Sequence, residues 1–365
     1  MSAGASSKIA GLSREFELAL DCCKTAFRGG KVRRRIGVDG VDWAKLVELA
    51  RFHRVEGLVW NGLRSSGEAV PDEVSPELSA DSADIAANNL RAAAECRDLL
   101  AQFETAGVPL LFVKGSTLGA LAYSNPALKS AMDVDLLIDP ADLTGASALL
   151  RNRGYRLVIP SDDGALNRWH RRSKESVWMR EDPPLQIDLH TRIADSPRLI
   201  PSINVHSPRQ LVDVGSGIRL PTFADEELFT YVAVHGAWSA WFRLKWIADF
   251  AGLVHQRRRD EICSLYERSR QLGGGRSAGQ ALLLADLLFG TLHSATDLRR
   301  ELDLDRATRL LCKGALAILS SALGEPTERP FGTLKIHLLE LLLVPGLSYK
   351  VSEVARQALS TLRSR

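Results

Sequence analysis

The chain has 365 residues, 45% hydrophobic and 25% charged, and its 47 basic against 44 acidic residues leave a net charge of +3. That length supports a real hydrophobic core and two or three modest domains, and the ordinary composition excludes a disordered or fibrous chain. A charge so near balance gives no electrostatic footprint for nucleic acid or a membrane surface, so partners have to be argued from sites. The five cysteines, Cys22, Cys23, Cys96, Cys263 and Cys312, lack the spacing of a zinc site. Adjacent Cys22 and Cys23 read as small packing residues on a helix, and the odd count fits a reduced, cytoplasmic compartment. No charged segment followed by an apolar run opens the sequence as a secretory signal would. The apolar stretch from Leu338 to Val344 is far short of the roughly 20 residues that span a bilayer, and reads as buried helix.

Residues 14–28 and 41–64 carry apolar side chains at helical spacing, and a further helix is expected from about Pro76 to Ala106. The pattern changes at Gly107-Val108-Pro109. Val108 to Val113 is a short apolar run bounded by glycines and reads as a buried strand. A helix (116–123), a Ser-Asn-Pro turn, a strand (133–138), a helix (141–153) closed by Gly154 and a strand (155–159) follow. Two more strands are expected at 175–180 and 185–191. From Ala224 onward helices return: 226–246 and beyond, 258–272, 276–293, 302–322 and 331–343, then an amphipathic tail, with Gly273-Gly274-Gly275 as a loop. The expected architecture is α+β: a mixed core at 107–222 between an N-terminal helical region, 1–106, and a C-terminal helical domain, 223–365.

The chemistry concentrates in the core. Side chains alternate across a strand, so Asp133 and Asp135 share one face while Val134, Leu136 and Ile138 point into the core. Two acids sharing a face repel unless a cation neutralises them or one is protonated, and Mg²⁺, which prefers oxygen ligands, is the economical explanation. A third carboxylate, Asp188, alternates with Ile187 and Leu189 on its own strand, and is placed to bind metal or act as a general base. His190 beside it is either a hydrogen-bonded structural group or a catalyst. Upstream, an apolar strand ends in Lys114-Gly115-Ser116 at a helix start. Backbone N–H groups there, helped by the helix dipole, form an anion site that glycine lets a triphosphate approach. Ser116 could add a hydroxyl and Lys114 a charge, although Ser116 could equally be an ordinary helix cap. The combination points to nucleotidyl transfer.

Taken in order, Lys114-Gly115-Ser116, Tyr123, the basic Lys129, Asp133-Val134-Asp135-Leu136-Leu137-Ile138, Arg153-Gly154-Tyr155 and Ile187-Asp188-Leu189-His190 resemble the uncharacterised bacterial nucleotidyltransferase family of the polymerase-β superfamily. Upstream Leu49 to Val55, and downstream Val234-His235-Gly236 with Trp241 to Asp249, resemble that family's flanking helical segments. The resemblance covers roughly residues 40–255. It implies a small mixed sheet carrying Asp133, Asp135 and Asp188 as catalytic metal ligands, with Gly115 and Ser116 at the triphosphate. Many relatives carry Arg before the acid pair, where this chain has Lys129-Ser130, and Lys lacks the bidentate fork of Arg for phosphate.

In the helical segment after the core, helical spacing would place His235 and Asp249 on one stripe. Trp238, Trp241 and Trp246 read as packing residues before a base-stacking platform, and Arg243 and Lys245 either as candidates to reach the nucleotide or the acceptor or as a solvated face. His53 with Arg51 and Arg54 could face the cleft from the N-terminal helices but reads first as a solvated helix face, and the basic runs 31–35 and 257–259, which lack interleaved aromatics, read as solvated too. The expected activity is Mg²⁺-dependent transfer of NMP from an NTP, ATP first among donors, to a small-molecule, peptide or protein acceptor, with two ions plausible and neither membrane nor nucleic acid as partner. Two other readings stand beside it: a non-catalytic accessory or antitoxin-like protein that keeps the fold, and a phosphotransferase using the same site.

Overall fold

In the computed structural model, which describes residues 11–27, 36–123, 125–129, 133–321, 323–328 and 332–361, the regular elements among the described residues of the first hundred are all helices, as their spacing predicts. The basic run 31–35 and the serines at 124 and 130 lie outside the described residues. Helix α1 (Arg14–Ala26) starts where the Ser13 side chain accepts from the Phe16 N–H, and α2 (Trp43–His53) where Asp42 accepts from the Lys45 N–H. The segment 41–64 is two helices rather than one. Arg54 takes a left-handed conformation (φ 55°) that ends α2, and α3 (Glu56–Ser66) restarts behind it. Helix α4 (Ser75–Thr105) then runs unbroken for 31 residues.

The sheet follows. Strand β1 (Leu111–Phe112) is shorter than the apolar run predicts, and the chain turns through Gly115 (φ 63°) into α5 (Ser116–Tyr123). Next come β2 (Asp133–Leu137), α6 (Leu143–Asn152), β3 (Arg156–Ile159), the short α7 (Leu166–His170), and the hairpin of β4 (Glu175–Glu181) with β5 (Pro184–His190). These strands form a five-stranded mixed sheet in the order β1-β2-β5-β4-β3, in which only β2 and β5 are parallel. A second hairpin, β6 (Arg209–Asp213) and β7 (Arg219–Phe223), turns through Gly215 and Gly217 and was not expected.

Helix α8 (Asp225–Trp238) is buried on almost every side. It does not continue to Trp246. The chain reverses at residues 239–243, where Ala240 (φ 47°) and Trp241 (φ 55°) are left-handed, and α9 (Leu244–Val254) runs back, so the predicted single stripe from His235 to Asp249 does not exist. The remaining helices are α10 (Arg259–Gln271), α11 (Ser277–Phe289), α12 (Thr296–Leu304), α13 (Arg306–Leu319), α14 (Leu334–Glu340) and α15 (Leu347–Thr361). The run 338–344 is only partly buried, since Leu338 is exposed while Leu339 and Leu343 are covered. Among the described residues no helix is long and apolar enough to cross a membrane.

Two apolar cores result. One joins α1–α3 to α8, α9, α11 and α13, so residues from both ends of the chain share it. The other lies under the sheet, where Val134, Leu136, Ile187, Leu189 and Trp178 meet Ala93, Cys96, Leu99 and Phe103 of α4 and Ala146 and Leu150 of α6. The opposite sheet face, carrying the acids, looks toward the helical core.

The reversal between α8 and α9 depends on a glycine. A Cβ on Gly236 would stand 2.2 Å from the fully buried Trp241 ring. Gly236→Ala is therefore expected to lower stability by about 1–3 kcal/mol, read as a lower urea midpoint at unchanged slope; an unchanged midpoint would show that the contact is not limiting.

Candidate functional site

The parallel register of β2 and β5 sets Asp135 opposite Asp188, with Asp133 opposite Gln186 and Leu137 opposite His190. All of these share a face because successive side chains alternate. Across the hairpin, Glu175 of β4 sits opposite His190. The loop from β1 brings Lys114, whose Nζ lies 2.7 Å from Asp135 Oδ1. The same oxygen faces His190 Nε2 at 3.0 Å, while His190 Nδ1 lies 3.2 Å from Glu175 Oε2. Asp188 accepts a hydrogen bond from Gln186 Nε2 at 2.9 Å.

This arrangement splits the acids electrostatically. Burial works against charge on Asp135, yet Lys114 and His190 hold its carboxyl well below the usual carboxylate range. Asp188 moves the other way: burial, then the charges of Asp135 and Asp133, push it up to about 6. Burial also opposes the Lys114 ammonium, but Asp135, Tyr231 and Asp133 raise it well above the ordinary lysine value.

Two cavities meet at this wall and share Lys114, Gly115, Asp133 and Asp135. The first, about 250 Å³, reaches toward α4 and the β4–β5 turn past Ser116, Phe112, Val134, Leu185 and Leu220. The second, about 230 Å³, opens toward the helical core between Asp188 and Glu175 on the sheet and Tyr231, His235, Lys245 and Trp246 on α8 and α9. It is rich in cations: Arg54, Lys129, Lys174 and Lys245 line it besides Lys114. Lys174 is tied to Glu175 at 3.0 Å. Burial, with Lys129 and Arg54 nearby, lowers the Lys245 ammonium to about 7.

Of the residues singled out in the sequence, Asp133, Asp135, Asp188, Lys114, Gly115, Ser116, Lys129 and Lys245 line this double cleft. Lys129 does so with its charge already paired. Its Nζ is 2.6 Å from Asp249 Oδ2, and the Tyr123 hydroxyl donates to Asp249 Oδ1 at 2.9 Å. Arg243 lines neither cavity. Its guanidinium donates to the Phe52 carbonyl, pairs with Glu325, and stacks over the Phe52 and Phe242 rings. His53 is buried rather than solvated, and its Nδ1 accepts from the Leu244 N–H at 3.2 Å, fixing the start of α9. Burial, reinforced by Arg243, pushes the His53 ring down to about 3, so it serves as a neutral acceptor.

Trp241 is packed as expected, whereas Trp246 borders the cavity with its ring edge-to-face against His235 and Phe242. Arg54, read as solvated though weighed for the cleft, lines the second cavity, and Lys174, Glu175 and Tyr231 were not singled out in the sequence. The one available signal was the adjacent opposite charges Lys174-Glu175 opening a strand beside the Asp188 strand. Ligand atoms of Asp135, Asp188 and His190 lie within 4.8 Å of one another, so this cluster can hold a cation; Asp133 falls outside that group though it shares the face.

No curated protein matches the chain. A family model, that of an uncharacterised nucleotidyltransferase, matches residues 39–290, which takes in the sheet, the double cleft and the helices α8 and α9 that close it. With that match over most of its length, and the acids and the glycine turn gathered at one cleft, the chain belongs to this uncharacterised nucleotidyltransferase family.

Proposed function

We propose that the protein is a divalent-metal-dependent enzyme that moves a nucleoside monophosphate from an NTP, with ATP the first donor to test, onto a hydroxyl or other nucleophile of a small-molecule, peptide or protein acceptor. The observation that carries this reading is the register setting Asp135 beside Asp188 in the same cavity as the left-handed Gly115 turn. The donor set suits Mg²⁺, which prefers oxygen. His190 Nε2 is engaged by Asp135, so the residues that would hold one ion or two are Asp133, Asp135 and Asp188. Bound there, the metal would polarise the phosphate and neutralise charge developing on the leaving pyrophosphate.

The remaining work falls to the chain's own groups. Backbone N–H groups at the start of α5 hold phosphate oxygens, aided by the helix dipole. Lys245, which has no ion-pair partner among the described residues and whose ammonium lies at about 7, adds charge from the opposite wall once a bound phosphate favours its protonated form, while Lys129, neutralised by Asp249, shapes that wall. Asp188 would also take the proton of the acceptor hydroxyl as its oxygen attacks the α-phosphorus and pyrophosphate departs; burial and the neighbouring Asp135 and Asp133 carboxylates make it the more basic acid of the cluster. The first cavity is left for the less polar part of the substrates.

Incubation with α-labelled ATP, Mg²⁺ and candidate acceptors tests the whole reading. Asp133→Asn, Asp135→Asn and Asp188→Asn should each cut label transfer at least about a hundredfold with melting temperatures near wild type. Transfer that survives all three would defeat it, and a cellular role that survives all three would leave a binding function in its place. Affinity for the divalent metal should also fall as the pH drops through about 6, because in the metal-free protein Asp188 is raised and gains its proton there, and a protonated carboxyl does not neutralise a cation. Metal affinity that is flat across the acid range would remove Asp188 from the metal site.

Lys245 and Arg243 should separate cleanly. Lys245→Gln is expected to weaken NTP binding about ten- to a hundredfold, the worth of a charge-assisted hydrogen bond. Arg243→Gln should leave NTP affinity nearly unchanged and lower the melting temperature, since its contacts join α2 to the helical core. Calorimetric titration of both variants decides it, and weakened NTP binding by a stable Arg243→Gln protein would place Arg243 at the nucleotide.

A further inference from the structure

Three carboxylates, Asp133, Asp135 and Asp188, crowd one face of two neighbouring strands with Glu175 close by. Such a cluster needs a cation, or a proton, to be tolerated out of water. Among the described residues the lysine in ion-pair contact with it is Lys114, 2.7 Å from Asp135 Oδ1 and 19% exposed. The other lysines in the cavity wall are committed elsewhere or stand apart: Lys129 to Asp249, Lys174 to Glu175, and Lys245 without an acid partner among the described residues. Lys114 borders both cavities and precedes the left-handed Gly115, so the loop that carries the ammonium also carries the N–H groups proposed to hold phosphate.

We propose that Lys114 is the resident counter-ion of the acid cluster, an internal cation that a divalent metal must displace, so that metal binds firmly only together with a nucleotide whose phosphates re-pair the displaced ammonium. This rests on the metal-site part of the function proposed above and not on turnover. A metal that arrived while Lys114 held Asp135 would place cation beside cation. A metal that expelled Lys114 without nucleotide would leave a largely buried ammonium unpaired. A triphosphate removes that penalty, and metal and nucleotide then favour each other reciprocally. Lys114 is thus a positioning residue with an ordering role: it discourages an empty site from filling with free metal.

The test is a titration of the full-length protein with Mn²⁺, followed through the electron paramagnetic resonance signal of the free ion. Without nucleotide, Lys114→Met should bind Mn²⁺ roughly tenfold or more tightly than wild type. Adding Asp135→Asn should abolish that gain. With a non-hydrolysable ATP analogue present the order should reverse, wild type gaining affinity and Lys114→Met gaining little. Lys114→Gln, which keeps a hydrogen bond toward Asp135, serves if the methionine variant does not fold, and the same tightening is expected of it. Folded variants that bind Mn²⁺ no more tightly than wild type, or a gain that survives Asp135→Asn, would overturn the proposal. Because the nucleotide-free titration needs neither NTP nor acceptor, it can succeed where no transfer is ever detected, and transfer can be found where Lys114 has no such role.

Discussion

The parallel pairing of β2 with β5 is the constraint on which the rest of the site depends. It is the one parallel contact in the five-stranded sheet, and its register forces Asp135 and Asp188 to stand side by side. Two charges about 4 Å apart repel by roughly 4 kcal/mol at an effective dielectric near 20, too much to leave uncompensated in a marginally stable fold. The structure answers in two ways. Lys114 and His190 converge on one oxygen of Asp135 and keep it ionised, while Asp188 is left more basic. Two chemically identical side chains thereby acquire different properties from their surroundings.

What closes the site is the helical half of the molecule, and polar contacts at its edge set where it sits. Tyr123 at the end of α5 and Lys129 before β2 both bind Asp249 on α9, tying the sheet's own segments to the helix that carries Lys245 and Trp246. His53 and Arg243 do the same between α2 and the start of α9. Several of the positions through which the sequence resembles its family therefore orient the wall of the cleft, while the acids, the glycine turn, Lys114 and Lys245 line it.

Much of this was legible in the sequence. Alternation of Asp133 and Asp135 with Val134 and Leu136, and of Asp188 with Ile187 and Leu189, marked both strands and the face on which each strand's carboxylates stand, whereas the register that pairs Asp135 with Asp188 had no signal in the sequence. Roles that depend on where a side chain ends were not legible. Lys129 and Arg243 are cations in suggestive places, and only the fold shows one paired with Asp249 and the other spent on a backbone carbonyl and Glu325. The reversal after α8 escaped because no Gly or Pro marks residues 239–243; Ala240 and Trp241 adopt left-handed backbone that their side chains disfavour. The β6–β7 hairpin escaped for the opposite reason. Gly215 and Gly217 did signal a turn, but Pro221 inside the second run argues against a strand.

The long helix α4 gives the cleft its mechanics. At 31 residues it extends about 46 Å. Near its start Leu78 is seated in the helical core, and Arg51 of α2 grips Asp81. Toward its end Cys96, Leu99 and Phe103 lie under the sheet, and Glu95 gathers Arg153, Arg180 and the Tyr155 hydroxyl. One beam is thus anchored in both halves of the protein, beside the wall of the first cavity. Opening the cleft wide enough to exchange a large acceptor would mean flexing that beam or lifting one half off it. If the cleft turns over a substrate, the stiffness of that helix, set far from the acids, would limit how large a substrate could enter and how fast a product could leave.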